Sequence, residues 1–339
     1  MPELRIDPLS GHRTIVAGER SRRPGGEPKA TPAATIDPAG DPFAEGHEDR
    51  TPPELFALRE DGTAADTPGW KVRVVPNLYP ALSAASGDGE PAPAPPAEEP
   101  GGRGGTPAEL FIALPARGAH EVIINGPQSV TSLADLEREQ VVAAVETWRG
   151  RMRAHEHSAY VQLIVNERVE AGASLPHTHA QLYALDFVPA DVARERERAG
   201  AYTTRTMGSS LLADVVAEEV RRGERVVAID DEAVLLAPWA SRLPFQLMLA
   251  PRRPRPRFEE GGPSGASLLH DGLCRLARHL GSSPPLNMWV RTAPRGAQDF
   301  CWRIDVLPRL THLAGLELST GLNLNIVSPE DAAAALRDA

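Results

Sequence analysis

A repeated order of elements most limits the folds open to this chain. In the first half, the β-rich run "HEVIING" precedes a helical pattern at residues 132–155, and the runs "YVQLIVNER" and "HTHAQLYALDFV" then read as strands joined by a turn. The second half repeats this order with "PFQLMLAPR", "SLLHDGLCRLARHL", "LNMWVRTA" and "FCWRIDVLP". The repetition predicts an internal duplication and an α+β fold with two tandem halves, residues 1–188 and 189–339.

The strand "HTHAQLYALDFV" carries the most distinctive polar pattern. Alternate side chains of a strand share a face, so His177, His179, Gln181 and Tyr183 point to one side of the sheet. Three interpretations fit such a polar face. The histidines satisfy backbone groups at a sheet margin, or they bind a metal together with a carboxylate from elsewhere, or one imidazole attacks a substrate while its neighbours orient it. If the halves are equivalent, Cys301, Arg303 and Asp305 take the corresponding places in the second half.

Composition excludes several classes of protein. The formal net charge of -10 disfavours a nucleic-acid partner. Two cysteines provide no disulfide framework, and no apolar run is long enough to span a bilayer. We therefore expect a cytoplasmic protein without nucleic-acid or membrane partners. The segment 83–105 is dense in Pro, Gly and Glu, so we expect a disordered surface loop there.

The motif and its surroundings resemble a known family. "HTHAQ" after "NERVEAGASLP" is similar to the active-site motif of the galactose-1-phosphate uridylyltransferase branch of the histidine-triad superfamily, whose pattern is His-Pro-His-x-Gln after an Asn and a Gly/Ser-rich turn. Further segments agree in order: "ELRIDPLSGHRTIVAGERSRRP", "WKVRVVPNLYPAL", "SLADL", "VLPRLTHLAGLELSTGLNLN" and "SPEDAAAALR". The resemblance covers nearly the whole chain apart from the Pro-rich loop.

The resemblance implies a ping-pong nucleotidyl transfer in a homodimer. His179 would attack the α-phosphorus of UDP-glucose and hold the uridylyl group until galactose 1-phosphate accepts it. Gln181 would donate a hydrogen bond to a phosphoryl oxygen without titrating, which favours transfer over hydrolysis. Alternatives stay open: a nucleotide phosphorylase acting on an ADP-sugar or a dinucleoside polyphosphate, and a nucleotide-binding protein without turnover. A metal-dependent enzyme on a β-scaffold is weaker, since no further ligand set accompanies the histidines.

Other substrate contacts are implied by similarity alone. Arg20 and Arg23 match basic residues near the nucleotide diphosphate, and Asn77 and Asn166 match nucleotide contacts. The turn residues Gly172 and Ser174 allow close approach to phosphate. Glu317 matches a contact to sugar hydroxyls, which in the family reaches the site of the neighbouring subunit.

The chain departs from the family at its metal sites. Many members hold a structural zinc with a Cys-x-x-Cys pair, a further His and the first His of the motif, but here Asp41 and Ala44 occupy the cysteine positions and Ser129 the second His position. We therefore predict no metal and no cofactor, with His177 hydrogen-bonding backbone or substrate; a weak site involving Asp41 and His47 stays open. At a second metal site of the family, Glu195 is kept while Arg303 and Asp305 replace histidines. We expect an ion pair of Arg303 with a carboxylate there.

Overall fold

The computed structural model describes residues 2–19, 28–59, 62–83, 111, 113–262 and 264–339. The described residues form thirteen strands: β1 (Glu3–Ile6), β2 (Arg13–Val16), β3 (Phe56–Arg59), β4 (Trp70–Pro76), β5 (Gly118–Ile124), β6 (Tyr160–Glu167), β7 (His179–Leu185), β8 (Val226–Ile229), β9 (Ala233–Leu236), β10 (Leu247–Pro251), β11 (Leu286–Arg291), β12 (Arg303–Pro308) and β13 (Asn323–Asn325). They also form six α-helices: α1 (Arg138–Ala154), α2 (Ala190–Arg205), α3 (Leu211–Arg222), α4 (Ala266–Leu280), α5 (Gly315–Thr320) and α6 (Pro329–Arg337).

Ten of the strands form one antiparallel sheet with an internal two-fold pattern. Their order is β3-β4-β5-β7-β6-β11-β12-β10-β9-β8. Reading outward from the central pair, β6 and β11, each strand of the first half has a counterpart in the second, and α1 lies between β5 and β6 in sequence as α4 lies between β10 and β11. This arrangement confirms the predicted α+β fold of two tandem halves.

The strand register relates the two halves residue by residue. The β6 residue that pairs with Gln181 lies opposite Trp289 of β11, and Trp289 pairs in turn with Asp305 of β12. If the two-fold pattern exchanges β6 with β11, it also exchanges their neighbours β7 and β12, so Gln181 corresponds to Asp305. His179 and Arg303, two residues earlier in these strands, then correspond to each other. The equivalence inferred from the repeated order thus has a structural basis.

The main core lies on the face of the sheet that α1 and α4 cover. The two helices contact each other, so both halves contribute to one continuous core. Apolar side chains with at most 2% of their surface exposed include Val141, Val145, Trp148 and Met152 from α1, Leu269, Leu273 and Leu276 from α4, and Ala180 and Leu182 from β7. This packing holds the sheet on which the motif lies.

The helical pattern of the first half starts with Ser132 and Asp135, whose spacing predicts a possible capping box, but α1 does not begin there. Ser132 instead caps a short 3-10 helix, Leu133–Asp135, by accepting from the amide of Ala134, and α1 begins only at Arg138. The carboxylate of Asp135 accepts from Ser283 Oγ rather than taking part in a cap. The hydrogen bond from Ser283, in the second half, therefore holds the Asp135 side chain away from the start of α1.

A second, three-stranded sheet joins the two ends of the chain. It has the order β1-β2-β13, with β13 parallel to β2, and Arg5 donates to Glu330 of α6 at 2.9 Å. Thr14 also donates to the carbonyl of Ala240, so the N-terminal strands lie against the second half. The proposed boundary at 188 stays a prediction. No helix among the described residues is long and apolar enough to cross a membrane.

Candidate active site

Strand β7 presents the predicted catalytic face. Ala180 and Leu182 point into the main core, while His179, Gln181 and Tyr183 point to the other side, as the alternation predicts. The strand begins at His179 rather than at 177, because the Thr178 amide donates to the carbonyl of Val130 instead of to a neighbouring strand. The motif therefore straddles a strand entry.

The His179 ring is oriented by the backbone. Its Nδ1 lies 2.7 Å from the carbonyl oxygen of His177, which can only accept, so Nδ1 carries the proton and Nε2 carries the lone pair. The side chain is 97% buried, and burial lowers the pKa of His179 by more than the hydrogen bond to the His177 carbonyl and the charge of Asp41 raise it. The imidazole is therefore neutral near pH 7, the form in which it acts as a nucleophile.

His177 has a different environment, formed by two acceptors. Its Nδ1 lies 2.7 Å from Asp41 Oδ2, and its Nε2 lies 2.9 Å from the carbonyl oxygen of Gly126. An imidazole can donate to both only when it carries both protons. Burial raises the pKa of Asp41, but hydrogen bonds from His177, Ser129 and the Phe43 amide outweigh it and hold this pKa below its ordinary value.

In many members of the family that the motif resembles, the positions of Asp41, Ser129 and His177 carry zinc ligands. Ser129 Oγ donates to Asp41 Oδ2 at 2.7 Å, so hydrogen bonds join Asp41, Ser129 and His177 directly. Both nitrogens of His177 are engaged and the cluster offers no thiolate, so these residues do not fit a tetrahedral zinc. His47 Nδ1 donates to the carbonyl oxygen of Asp41 and not to its carboxylate. Among the described residues, no group of three or more His, Cys, Asp or Glu side chains is placed to hold a metal ion.

His120 is a site residue that the sequence reasoning missed. On the same face as the motif, His120 of β5 pairs with Tyr183 of β7, and the two rings stack with centroids 4.1 Å apart. Its Nε2 lies 3.0 Å from Gln181 Oε1, and Tyr183 Oη donates to the same oxygen at 2.9 Å. Alternation in "GAHEVII" does not mark this histidine, because it shares its face with the apolar Val122 and Ile124, and 61 residues separate it from Gln181.

Asn77, which matches a nucleotide contact of the family, lies beside this cluster. Its Oδ1 accepts from the amide of Tyr79 at 2.8 Å, which fixes the orientation of its amide group. Its Nδ2 then lies 3.1 Å from His120 Nε2. Asn77 and His120 thus lie together with Gln181 on the face of β7 that carries His179.

A buried carboxylate supports the motif from the core side. Glu167, at the end of β6, accepts from Thr178 Oγ1 at 3.2 Å, from the Leu133 amide at 2.6 Å and from Ser132 Oγ at 2.7 Å. Burial raises the pKa of Glu167 to about 7 despite these three donors. Thr178 lies between the two histidines, so Glu167 holds the backbone from which both project.

Three further predicted residues lie at the end of β6 and in the turn that follows it. Asn166 accepts from Asn287 Nδ2 at 2.8 Å across the boundary between the halves. Gly172 has φ of 89°, and its amide donates to the carbonyl of Val169 within the turn, while Ser174 is exposed. The turn is therefore built close to the motif, with the Ser174 hydroxyl facing solvent.

Glu317, a further predicted contact, is not hydrogen-bonded to β7 in the described part of this chain. Glu317 lies in α5, which packs on β13, and its carboxylate accepts from the amide of Ala314. Arg20, Arg23 and the Pro-rich loop after Ser83 lie outside the described residues.

The equivalent positions of the second half form an ion cluster. Arg303 donates with both terminal nitrogens to Glu195, at 3.0 and 3.2 Å, and with Nε to Asp305 at 3.0 Å. All three side chains are at least 94% buried. Burial raises the pKa of Glu195, but the charges of Arg303 and Arg291 outweigh it and hold this pKa below its ordinary value. The expected ion pair is thus present and includes both carboxylates.

Comparison with known proteins identifies the family. Residues 1–189 match the galactose-1-phosphate uridyl transferase N-terminal domain, and residues 125–338 match a domain of unknown function, DUF4921. An ADP-glucose phosphorylase from Arabidopsis thaliana is 28% identical over 350 residues, covering 99% of this chain and 93% of the relative. A galactose-1-phosphate uridylyltransferase from Cryptococcus neoformans is 28% identical over 304 residues, covering 86% and 74%.

A solved structure agrees with these matches. The crystal structure of an Arabidopsis thaliana ADP-glucose phosphorylase with bound ADP-glucose aligns with a TM-score of 0.78 at 25% identity, over 100% of this chain and 99% of that one. Because the uridyl transferase domain alone matches more than half of the residues, this chain belongs to the galactose-1-phosphate uridylyltransferase family.

Proposed function

We propose that this protein is a nucleotidyltransferase that moves a nucleoside monophosphate from a nucleotide sugar to a phosphate-bearing acceptor through a covalent intermediate on His179. One observation carries the proposal: the His177 carbonyl fixes the Nδ1–H tautomer of a buried, neutral imidazole. This leaves Nε2 as the nucleophile. Family membership and the nucleotide-sugar substrates named for the relatives support the same chemistry.

The reaction consists of two balanced displacements. His179 Nε2 attacks the α-phosphorus, a P–N bond forms, and the P–O bond to the sugar 1-phosphate breaks. A phosphate oxygen of the acceptor then attacks the same phosphorus, and the P–N bond breaks. Each leaving group is a phosphate or a neutral imidazole, so neither step needs a strong general acid.

Gln181 is proposed to hold the phosphoryl group during both steps. Its Oε1 accepts from His120 and Tyr183, so its amide hydrogens are turned toward other acceptors. An amide donor stabilises negative phosphoryl oxygens but cannot remove a proton from water. This chemistry favours transfer over hydrolysis.

The most favoured substrates are ADP-glucose as donor and inorganic phosphate as acceptor. The observation behind this choice is the likeness to ADP-glucose phosphorylase, which spans 99% of this chain and 93% of the relative. The second candidate is the exchange predicted from the sequence, UDP-glucose with a hexose 1-phosphate such as galactose 1-phosphate. It is favoured by the family match of residues 1–189 and by the uridylyltransferase relatives.

Other parts of the site remain proposals. Asn77, Asn166, Gly172 and Ser174 lie near the motif and are assigned to nucleotide and phosphate contacts. Arg20 and Arg23 are assigned to the diphosphate and Glu317 to the sugar, the last in a homodimer. We propose that catalysis proceeds without a metal or cofactor in a cytoplasmic protein.

The proposal is tested by trapping the intermediate. Purified protein is incubated with ADP-glucose or UDP-glucose in the absence of acceptor, and its intact mass is measured before and after mild acid treatment. An acid-labile adduct of one nucleoside monophosphate is expected in the wild type and in His157→Ala, an exposed-histidine control, but not in His179→Ala. The donor that gives the adduct identifies the base.

The acceptor is identified by adding inorganic phosphate or galactose 1-phosphate to the trapped adduct. Release as the nucleoside diphosphate supports a phosphorylase, and release as a nucleotide sugar supports a uridylyltransferase. If folded wild-type protein forms no adduct with either donor, or if His179→Ala still forms it, the covalent proposal is wrong.

A further inference from the structure

The ring of His120 lies between a backbone donor and a side-chain acceptor. The Ala81 amide donates to His120 Nδ1 at 3.2 Å, and Gln181 Oε1 lies 3.0 Å from His120 Nε2. The ring is 92% buried, and burial lowers the pKa of His120, so it is neutral near pH 7. A neutral imidazole has one N–H and one acceptor nitrogen. With Nδ1 accepting, the proton lies on Nε2.

This tautomer settles the contact with Asn77. The Asn77 amide nitrogen lies 3.1 Å from the same Nε2, but two donors cannot hydrogen-bond to each other. In the alternative tautomer, with the proton on Nδ1, this N–H would point at the N–H of Ala81, whose direction the backbone fixes. Two donors would then face each other. Gln181 Oε1 is therefore the acceptor for His120, and the Asn77 amide hydrogens require a different acceptor.

We propose that His120 is a positioning residue that, with Tyr183, fixes the amide of Gln181 so that its oxygen faces His120 and its NH2 group faces the transferring phosphoryl group. An unrestrained amide can rotate by half a turn and present its oxygen, which phosphoryl oxygens would repel. Two donors on Oε1 remove this option. The part of the inference that concerns the phosphoryl group rests on the proposed function.

The geometry gives the two donors unequal roles. Tyr183 lies two residues along the same strand from Gln181, and its hydroxyl can rotate to donate or to accept. The proton of His120 is fixed by the Ala81 amide, and its ring is held by stacking on Tyr183. We therefore expect loss of the His120 donor to disturb Gln181 more than loss of the Tyr183 hydroxyl.

The kinetic test compares His120→Leu, which removes the donor, with His120→Gln, whose side-chain NH2 can reach the place of Nε2. Single-turnover adduct formation is followed with the donor found for the wild type. In His120→Leu the maximal rate should fall about 10- to 100-fold with little change in the donor concentration at half-maximal rate, since the lost donor acts in the transition state. His120→Gln should recover most of the rate, and Tyr183→Phe should lose less than His120→Leu.

A merely structural role predicts a different result: equal losses in the Leu and Gln variants, or a weaker affinity for the donor with an unchanged maximal rate. Either result would overturn the positioning role.

A measurement without substrate separates this inference from the proposed function. In protein labelled with 15N-histidine, two-bond 15N–1H correlations at pH 8 should report the Nε2–H tautomer for His120, assigned by its loss in His120→Gln. In Gln181→Leu this signal should shift while the fold is kept. An Nδ1–H tautomer, or no shift in Gln181→Leu, would overturn the positioning role even if adduct chemistry succeeds. The tautomer with no adduct would overturn only the proposed function.

Discussion

The two halves each bury a glutamate near the strand that carries the motif or its counterpart, but they stabilise it in opposite ways. Glu167 beside β7 is held by neutral donors, and burial raises its pKa to about 7. Glu195 beside β12 is held by Arg303, and its pKa is lowered. The same scaffold therefore surrounds the buried glutamate with neutral donors in one half and places it in a mutually neutralised ion cluster in the other.

This difference explains which half is suited to chemistry. A nucleophilic imidazole must stay neutral, and nearby carboxylates would favour its protonation. Around His179 the main partners are a carbonyl and the ring of Phe43, whose centroid lies 5.3 Å away. Arg303 at the equivalent position is always charged and is already committed to two carboxylates. The second half therefore offers a fixed structural contact in place of a reactive group.

The largest expected effect comes from breaking the ion cluster. Arg303→Met leaves Glu195 and Asp305 buried without their cation, which should lower the free energy of unfolding by about 3 to 5 kcal/mol. Urea denaturation measures the change. Adduct formation by the folded fraction should stay close to that of the wild type, because the cluster does not contact His179.

Two further variants control this prediction. Arg221→Met breaks an exposed ion pair with Glu218 and should leave the urea midpoint close to that of the wild type. Arg303→Met combined with Glu195→Gln should recover part of the loss, since one uncompensated charge is removed. If Arg303→Met unfolds at the wild-type urea midpoint, the ion cluster does not stabilise the fold. It would then not replace the structural role of a metal site.

Glu167 should give the protein a pH dependence of the opposite sign to that of Glu195. Its pKa rises from an ordinary 4.5 to about 7 on folding, so the native state binds more protons than the unfolded state between these values. Stability therefore falls as pH rises through this window, by about 3 kcal/mol in total at 1.36 kcal/mol for each pKa unit, and is flat above it.

Glu167→Gln tests this contribution, because the amide resembles the protonated carboxyl group. The variant should match the wild type near pH 4.5 and exceed it in stability by up to about 3 kcal/mol at pH 8. Urea titrations at these two pH values measure the difference. Since Glu218 is exposed, Glu218→Gln should show no such pH-dependent gain. A Glu167→Gln curve parallel to that of the wild type would show that Glu167 is ionised in the native protein.

Asp41 resembles Glu195 more than Glu167, because it faces a charged partner. Asp41→Asn removes the negative charge beside His177 and should cost about 1.5 to 3 kcal/mol at pH 7. Because the pKa of Asp41 is lowered on folding, this contribution is present above its ordinary value of 3.8 and disappears as pH falls below it. Asp49→Asn, at an exposed position, provides the control. Equal stability of Asp41→Asn and the wild type at pH 7 would show that the charge of Asp41 does not stabilise the fold.

Local patterns in the sequence predicted the elements and the motif, since alternation and helical spacing depend only on neighbouring residues. They placed His179 and Gln181 on one face of a strand, and the repeated order related Arg303 to His179. The ion pair of Arg303 was expected from the resemblance, because Glu195 is kept at the family's second metal site while Arg303 and Asp305 replace histidines. The strand pattern and the repeated order themselves needed no knowledge of contacts between distant segments.

Contacts set by strand register could not be predicted in the same way. His120 reaches Gln181 only because β5 pairs with β7 with His120 opposite Tyr183, and a shift of one residue would turn it into the core. The Asp41 partner of His177 comes from a segment 136 residues earlier, so the sequence predicted a backbone or substrate partner and missed the carboxylate. The entry to α1 was misplaced because Ser283, far along the chain, takes Asp135.

The smallest expected effect concerns the turn between β6 and β7, where Arg168 contacts the second half. Arg168 has φ of 71°, where a residue with a Cβ is strained, and its guanidinium donates to the carbonyls of Thr31 and Ser283. Arg168→Gly and Arg168→Ala lose the same hydrogen bonds and differ only in the backbone. The glycine variant should therefore be more stable by about 1 kcal/mol. At Arg196, inside α2, the same pair should show the reverse order, because glycine is unfavourable in a helix. If Arg168→Ala is as stable as Arg168→Gly or more stable, the backbone at 168 is not strained. The hydrogen bonds of Arg168 to Thr31 and Ser283 would then account for its conformation.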